Sequence, residues 1–471
     1  MIFPGLSVYH PGVPHKTTPQ HTGTSPSSGT AEPGGENANV SRRAFGLAVA
    51  STAFFLPRAW SGPPGTAFAV QKPSGLRRAK DVEHAIVYRR DNEFASHPYV
   101  RGFWETSAGH LISNFSLATV DYRGDPNLLA HTGLVRSASG RRAVTVRSED
   151  RGRTWNVWNE DKNRPSNDVM APRPGIDGKP GSLAEIAPVD YLNKDVLVSN
   201  FNYQYMTQDH LVRDFLTSAR TLIEAPDRQV FFRVSKDSGR TWSRSAVVPL
   251  DGFASLAAVE SATVRPDGRC LLFLNGVKQG DTSRPVVFRS TDDGTSFRFL
   301  SYVTPKDDPQ FKGLNQMYPR GLVLPSGRIL CTLRVDRDWA GEMWTLVYKS
   351  DDGGDTWQFL SRISEYGAPA APLRLKDGRL VMVYGYRLEP SIRAVVSEDE
   401  GRTWGPQIIV RDDGGSWDLG YPRAWEAAPG KIGTIYYYNT KDDPVQVQPA
   451  AGSNWGAGGV RFIARSFFSV D

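Results

Sequence analysis

Ser148 to Trp155 reads Ser-Glu-Asp-Arg-Gly-Arg-Thr-Trp, and close copies of it return along the chain. Ser235 to Trp242 reads Ser-Lys-Asp-Ser-Gly-Arg-Thr-Trp, Ser350 to Trp357 reads Ser-Asp-Asp-Gly-Gly-Asp-Thr-Trp, and Ser397 to Trp404 reads Ser-Glu-Asp-Glu-Gly-Arg-Thr-Trp. A degenerate copy, Ser-Thr-Asp-Asp-Gly-Thr-Ser-Phe, runs from Ser290 to Phe297. The shared pattern is Ser-x-Asp-x-Gly-x-Thr-Trp, and each copy follows a short β-rich run such as Ala143 to Arg147 or Ile392 to Val396. This is the chemistry of a tight β-turn. The Asp carboxylate caps backbone N–H groups, Gly supplies a positive φ, and the Trp has an apolar body to bury against a neighbouring unit.

The spacing of these hairpins sets the architecture. Their leading serines, Ser148, Ser235, Ser290, Ser350 and Ser397, lie 87, 55, 60 and 47 residues apart. Repeats of about 40–60 residues are those of propeller blades. The long first interval is expected to carry a loop excursion over Arg164 to Thr221. Between the hairpins lies a second repeat of strand, two-residue turn and apolar strand. Its clearest copies are Thr263 to Leu274, Leu322 to Leu333 and Leu373 to Tyr384, with weaker forms around Gly109 and Gly430. Five boxed units and a final unboxed one, from about Gln407 to Asp471, make six. The reading is therefore an all-β chain, a six-bladed β-propeller of four-stranded antiparallel blades spanning residues 81–471. Its first strand is expected over His84 to Arg89. The last strand, Arg461 to Val470, is placed to pair with N-terminal sequence and close the ring, which removes free sheet edges.

Composition agrees. The 471 residues include 45 Gly and 33 Pro, as many short strands and turns require. The net charge of +6 is modest, and Lys and Arg are scattered instead of running in blocks, which argues against a nucleic-acid surface. Two cysteines, Cys270 and Cys331, are too few for a disulfide framework. Residues 1–40 are rich in Pro, Gly, Ser, Thr and His and read as a disordered leader. Arg42-Arg43 precede the apolar run Leu47 to Leu56, and Ala67-Phe68-Ala69 offers a small-residue cleavage site. Residues 41–69 thus resemble a twin-arginine export signal, with an apolar run too short for a stable membrane span. That resemblance implies export to the periplasm or the cell exterior. The histidines, including His97, His131 and His210, show no metal-ligand spacing, and no nucleotide loop or other cofactor motif is present.

The repeated hairpin resembles the Asp-box of the sialidase superfamily, and six units match that family's six-bladed propeller. The resemblance covers roughly residues 81–471. The Asp-box marks the fold and sits on the rim, so the chemistry is to be sought elsewhere. The family binds an anionic sugar with three arginines on the propeller axis, and it uses a Tyr nucleophile activated by a Glu with an Asp as acid/base. The logic is physical. Guanidinium groups bind a carboxylate bidentately, and a neutral Tyr meets less repulsion than an Asp would at an anomeric carbon that carries its own carboxylate.

One internal pattern, Tyr-x-Arg, opens the first strand of three units: Tyr99-Val100-Arg101, Tyr318-Pro319-Arg320 and Tyr421-Pro422-Arg423. First strands line the axis of a propeller, so Arg101, Arg320 and Arg423 are candidates to converge on one pocket. The alternative is that each caps a neighbouring carbonyl or pairs with an Asp. Resemblance offers a partly different set. Arg101 resembles the family's first arginine, Arg334 the second and Arg393 the third, while Tyr421 sits where the family places its nucleophile. The loop after the first hairpin offers Asp121 and Asp125 as acid/base, although either could be a turn former. The family's glutamate aligns near Tyr318, which is not acidic, and Glu260 is a substitute that could reach the axis. Trp417, in Asp412 to Asp418, could stack on a sugar or belong to the core.

These features imply an exported, sialidase-like glycoside hydrolase that cleaves a terminal acidic sugar from a glycan. Two alternatives stay open: a polysaccharide lyase or hydrolase acting on uronic-acid-containing or other glycans, and a non-catalytic carbohydrate-binding propeller.

Overall fold

The computed structural model describes residues 75–123, 142–160, 183–203, 229–259, 261–278, 281–337, 342–447 and 458–471. The leader, the twin-arginine segment, Asp125 and Glu260 lie outside them. The described residues form six predominantly antiparallel sheets, one per blade.

Blade I runs outward from an inner strand in two halves, Glu93–Ser96 and Phe103–Glu105, through Leu111–Thr119 and Arg142–Ser148 to Asn156–Glu160. Blade II contributes Leu197–Tyr203, Gln229–Ser235 and Ala246–Val247. Blade III again has a split inner strand, Ser255–Ala258 and Thr263–Val264, followed by Cys270–Val277, Arg284–Ser290 and Phe297–Tyr302. Blade IV is Asn315–Val323, Ile329–Asp336, Met343–Ser350 and Gln358–Arg362. Blade V is Ala370–Arg374, Leu380–Tyr386, Ser391–Ser397 and Gln407–Arg411. Blade VI is Gly420–Ala428, Lys431–Tyr438, Phe462–Ser469 and, from the other end of the described chain, Lys80–Tyr88.

The ring closes as expected. Lys80–Tyr88 pairs antiparallel with Phe462–Ser469, and the Arg465 guanidinium donates to Glu83 Oε1 across the joint at 2.5 Å. Three details differ from the sequence reading. Gln407–Arg411 is the outer strand of blade V and not the start of the last unit, because the box Ser397 to Trp404 joins it to Ser391–Ser397 of the same sheet. Blade V gains a fifth strand, Leu76–Arg78, which runs parallel to Gln407–Arg411 and begins ahead of the expected start at Asp81. Within Arg164 to Thr221, expected as a loop, Leu197–Tyr203 is a blade strand.

The boxes show why the hairpin repeats. In the first copy, Asp150 accepts from Thr154 N at 2.9 Å and from Thr154 Oγ1 at 2.6 Å, while Ser148 Oγ takes the N–H of Gly152 at 2.7 Å. Arg151 and Gly152 both have positive φ, 58° and 91°, which the turn demands. Burial alone would raise the Asp150 carboxyl, but the hydrogen bonds from Thr154 and Ser148 outweigh it and hold the group at about 2. In the degenerate copy the acceptor is Asp293, which takes Thr295 N at 3.0 Å, so the capping role has moved one residue along. The Trp closes each unit against its neighbour. Trp357 Nε1 donates to Ser301 Oγ of blade III at 3.0 Å, and Trp404 Nε1 donates to Ser361 Oγ of blade IV at 3.0 Å.

Apolar faces pack blade on blade. Phe273 and Val287 of blade III meet Ile329, Cys331 and Leu333 of blade IV. Gly321 admits the approach, since a Cβ there would lie 2.2 Å from the Phe273 ring. Cys270 and Cys331 are buried thiols outside any disulfide, and serve as small apolar groups.

Candidate functional site

The site is built on kinks in the inner strands. Three of them carry an aromatic residue followed by proline: His97-Pro98 in blade I, Tyr318-Pro319 in blade IV and Tyr421-Pro422 in blade VI. Proline disfavours the right-handed helical region for the residue before it. Here that residue takes positive φ, 65° at His97, 57° at Tyr318 and 48° at Tyr421. For non-glycine residues this is strained, at about 1–3 kcal/mol each, and persists only where the surroundings enforce it. Pairing breaks at these points, between Met317 and Arg320 and between Gly420 and Arg423, so each tyrosine is lifted out of the regular alternation.

The result is an axial aromatic cluster. The Tyr318 and Tyr421 ring centroids are 5.6 Å apart, edge to face, and Tyr421 lies 5.8 Å from Tyr437 and 4.9 Å from His97. Tyr99 stands 6.4 Å from Tyr318 and 6.5 Å from Tyr421, and its hydroxyl donates to Tyr318 O at 3.1 Å. Charged groups thread between the rings. Arg334, 2% exposed, donates from Nη1 to Tyr421 Oη at 2.9 Å and from Nε to Asp336 Oδ2 at 2.9 Å, and its guanidinium lies 5.6 Å from the Tyr318 ring centre. Asp336 also accepts from Asn315 Nδ2 at 2.9 Å. Tyr437 donates to Asp418 Oδ1 at 2.5 Å. Arg387 lies 5.4 Å from the Tyr421 ring and 5.3 Å from that of Trp417, and donates to Trp417 O at 2.5 Å.

Burial dominates the electrostatics. It pushes the Tyr318 hydroxyl well above its ordinary value, with the Tyr421 phenol adding to the shift and Arg334 opposing it. Tyr437 is pushed well up in the same way, reinforced by the Asp418 carboxylate and opposed by Arg387. Desolvation works against the charge on Arg334, but Asp336 and the two phenols more than offset it and hold the guanidinium protonated. A buried guanidinium N–H thus fixes the Tyr421 oxygen in place and sets a positive charge beside it. Such orientation is one requirement of a nucleophile or a proton acceptor.

The expected site residues divide. Tyr421, Tyr318 and Arg334 are in mutual contact, and Trp417 joins them through Arg387. Arg320 is partly buried at the edge of the cluster, 5.7 Å from the Tyr99 ring. Arg423 is fully buried and caps blade I, donating to Tyr99 O at 2.5 Å and Pro98 O at 3.4 Å, so it braces blade VI against blade I. Arg101 ends a helical turn, Pro98–Arg101, instead of opening a strand. Pro98 is pre-set for the first helical position, and Gly102 at φ 141° lets the chain leave the turn. Arg393 sits in blade V under Tyr386, 3.6 Å from its ring centre, and bonds Gln407 and Ser391. Asp121 is exposed and accepts from Arg123 N at 2.9 Å, which is a turn-forming role. Val259, next to Glu260, packs in the same cluster as Tyr99 and Tyr421.

Sequence reasoning overlooked His97, Tyr99 itself, Tyr437, Arg387, Asp336 and Asp418. An aromatic-Pro step at the head of three units was visible and would have drawn His97 into the set beside Tyr318 and Tyr421. Asp336 and Asp418 carried no such signal, because each matters only through a partner on another strand. Among the described residues no group of three His, Cys, Asp or Glu side chains is placed to hold a metal ion, and no helix is long and apolar enough to cross a membrane.

Comparisons with known proteins bear on the fold. A family model described as BNR repeat-like domain matches residues 215–434. No curated protein matches the chain. Among solved structures, a Dyadobacter fermentans protein of unknown function superposes with a TM-score of 0.56 at 19% identity, covering 83% of this chain and 99% of that one. Hadza microbial sialidase Hz136 gives 0.50 at 17% identity, covering 80% of this chain and 66% of the other. Trypanosoma rangeli sialidase in complex with the inhibitor DANA gives 0.51 at 13%, covering 83% and 60%. The chain thus spans less than two thirds of the length of these two sialidases, and at such identities the likeness is one of fold. With six blades, boxed hairpins and the matched repeat, the chain is a BNR-repeat-like six-bladed propeller, similar in fold to these sialidases.

Proposed function

We propose that this chain is a carbohydrate-active enzyme working on an acidic glycan at the axial cluster, with Tyr421 as its reacting group. The observation that carries this reading is the 2.9 Å hydrogen bond from Arg334 Nη1 to Tyr421 Oη, a charge-assisted contact that orients the one phenol oxygen at the centre of the cluster. In the hydrolytic form, Tyr421 attacks the anomeric carbon of a terminal acidic sugar while an acid, for which Asp125 is the candidate, protonates the leaving oxygen. Water then releases the sugar from the tyrosine. Arg320 and Arg387, at the edge of the cluster, are the candidates to hold the sugar carboxylate.

A second reading is favoured by Tyr318, a phenol beside Tyr421 where the resemblance calls for a carboxylate. The same phenolate could take the proton α to the carboxylate of a uronic acid, with the glycosidic oxygen leaving as an alcohol after protonation and a carbon–carbon double bond forming in the ring. Purified protein incubated with sialyl and uronyl glycosides, with products read by mass and ultraviolet absorbance, decides between them. Free acidic sugar means hydrolysis and an unsaturated uronyl product means elimination. Saturable binding without any product would overturn both and leave a binding propeller. Export belongs to the same proposal, and a mature N-terminus near Ala69 in the cell-free fraction is its test.

A further inference from the structure

At the junction of blades III and IV, the segment between Tyr302 and Asn315 borders two adjoining cavities of about 430 and 480 Å3. They share Arg284, Pro305 and Asp308, and of the residues named at the axial cluster only Asn315, which bonds Asp336, also lines one of them, the second. Four buried polar side-chain atoms belong to lining residues and have no hydrogen-bond partner among the described residues. They are Arg284 Nε, Thr304 Oγ1 and Gln310 Oε1 in the first cavity and Gln316 Oε1 in the second. Arg284, Thr304 and Gln316 are all more than nine-tenths buried. Native interiors leave few such atoms, because each one loses water without replacement, and four around one pair of cavities mark a place that something else fills.

The walls say what fits. One side is aromatic, formed by Tyr348, Trp357 and Phe359. The polar atoms are of mixed kind: one guanidinium N–H donor, two amide oxygen acceptors and a hydroxyl that is both. Charge is balanced locally. Arg284 faces Asp281 at 3.6 Å and Lys306 faces the same carboxylate at 3.9 Å, while Lys312 lines the second cavity with Asp307 and Asp308. The Arg284 guanidinium is further occupied by the Tyr302 ring, whose centre is 3.7 Å away, so it is poorly placed to grip a carboxylate. A ligand suited to these walls has an apolar face, hydroxyls that donate and accept, and no charge. A pyranose ring has all three, and the volumes are in the range of small-ligand sites, about 300–1,000 Å3.

We infer that the junction of blades III and IV is a binding site for a neutral sugar unit, separate from the axial cluster. It would hold a glycan chain by an uncharged residue, whatever the axial cluster does to an acidic one. Isothermal titration of the full protein with cellobiose, maltose, lactose and xylobiose, with glucose and glucuronic acid as a neutral and charged pair, tests this. Saturable binding of at least one neutral sugar is expected. Thr304→Val and Gln310→Leu should each weaken it about 3–10-fold, the cost of one hydrogen bond. Neither should lower the melting temperature, since each removes a buried polar atom that has no partner in the protein. Failure of every neutral sugar to saturate would mean that the cavities hold water only, and would overturn the inference. So would binding indifferent to both variants, or glucuronic acid binding more tightly than glucose.

Discussion

Arg334 of blade IV donates to the hydroxyl of Tyr421 of blade VI, across 2.9 Å and 87 residues of chain. Blade V intervenes in the ring, so the bond ties the second strand of blade IV to the inner strand of the non-adjacent blade VI. Asp336, with its side chain fully buried, holds the other side of the guanidinium.

Tyr421→Phe removes the reacting oxygen and leaves the aromatic packing in place. We expect turnover of the acidic glycan identified by the product screen to fall by more than about 10^3-fold, with substrate binding retained. Steady-state kinetics together with equilibrium binding of the same substrate check this. Full activity in the variant removes Tyr421 from the mechanism.

Arg334→Met should damage stability as well as chemistry, because it strands the Asp336 carboxylate in the interior. Breaking a buried pair in this way costs about 3–5 kcal/mol. Adding Asp336→Asn to Arg334→Met should recover part of the loss, and urea denaturation of both variants measures it.

Arg320 and Arg423 occupy the same position in Tyr-Pro-Arg and should nonetheless respond differently. Arg423→Met removes the cap on Pro98 and Tyr99 and is expected to lower the melting temperature. Arg320→Met, at the partly buried edge, should lower the melting temperature less than Arg423→Met does and raise KM for an acidic substrate. Equal thermal effects would contradict the assignment of only one of them as a brace.

The box aspartates Asp150, Asp293 and Asp352 are each held at about 2 in the folded protein, below the ordinary carboxylate value of about 3.9. The folded state therefore binds fewer protons at these sites, and their stabilisation is complete above about pH 4. It is lost as pH falls from about 4 towards 2, where the folded groups protonate. Thermal melts across that window should fall steeply, and Asp150→Asn should flatten the slope.

Deleting the chain up to Tyr88 removes the strand that closes the ring. Phe462–Ser469 would become a free edge bearing Phe462, Ile463, Phe467 and Phe468, all buried in the intact ring. Light scattering should then report association, and the unfolding transition should broaden.

Much of the fold was legible because a box is a local object. Ser148, Asp150, Gly152, Thr154 and Trp155 satisfy one another within eight residues, so their order in the chain states their geometry. Tyr421 and Tyr318 were legible for a related reason, standing at matched places in a repeated unit. Arg387, Asp418 and Tyr437 were not, since nothing near them in the chain announces the ring faces they meet.

The linear order therefore specified the hairpins, the number of blades and the closing strand, all of which follow from contacts between near neighbours and from a regular repeat. That Arg423, and not the matching Arg320, caps Pro98 and Tyr99 of blade I was decided only by tertiary structure. Blade contacts at Pro98 and Tyr99 claim Arg423, and Arg334, from the second strand of blade IV, reaches Tyr421 because ring closure brings blades IV and VI within one hydrogen bond.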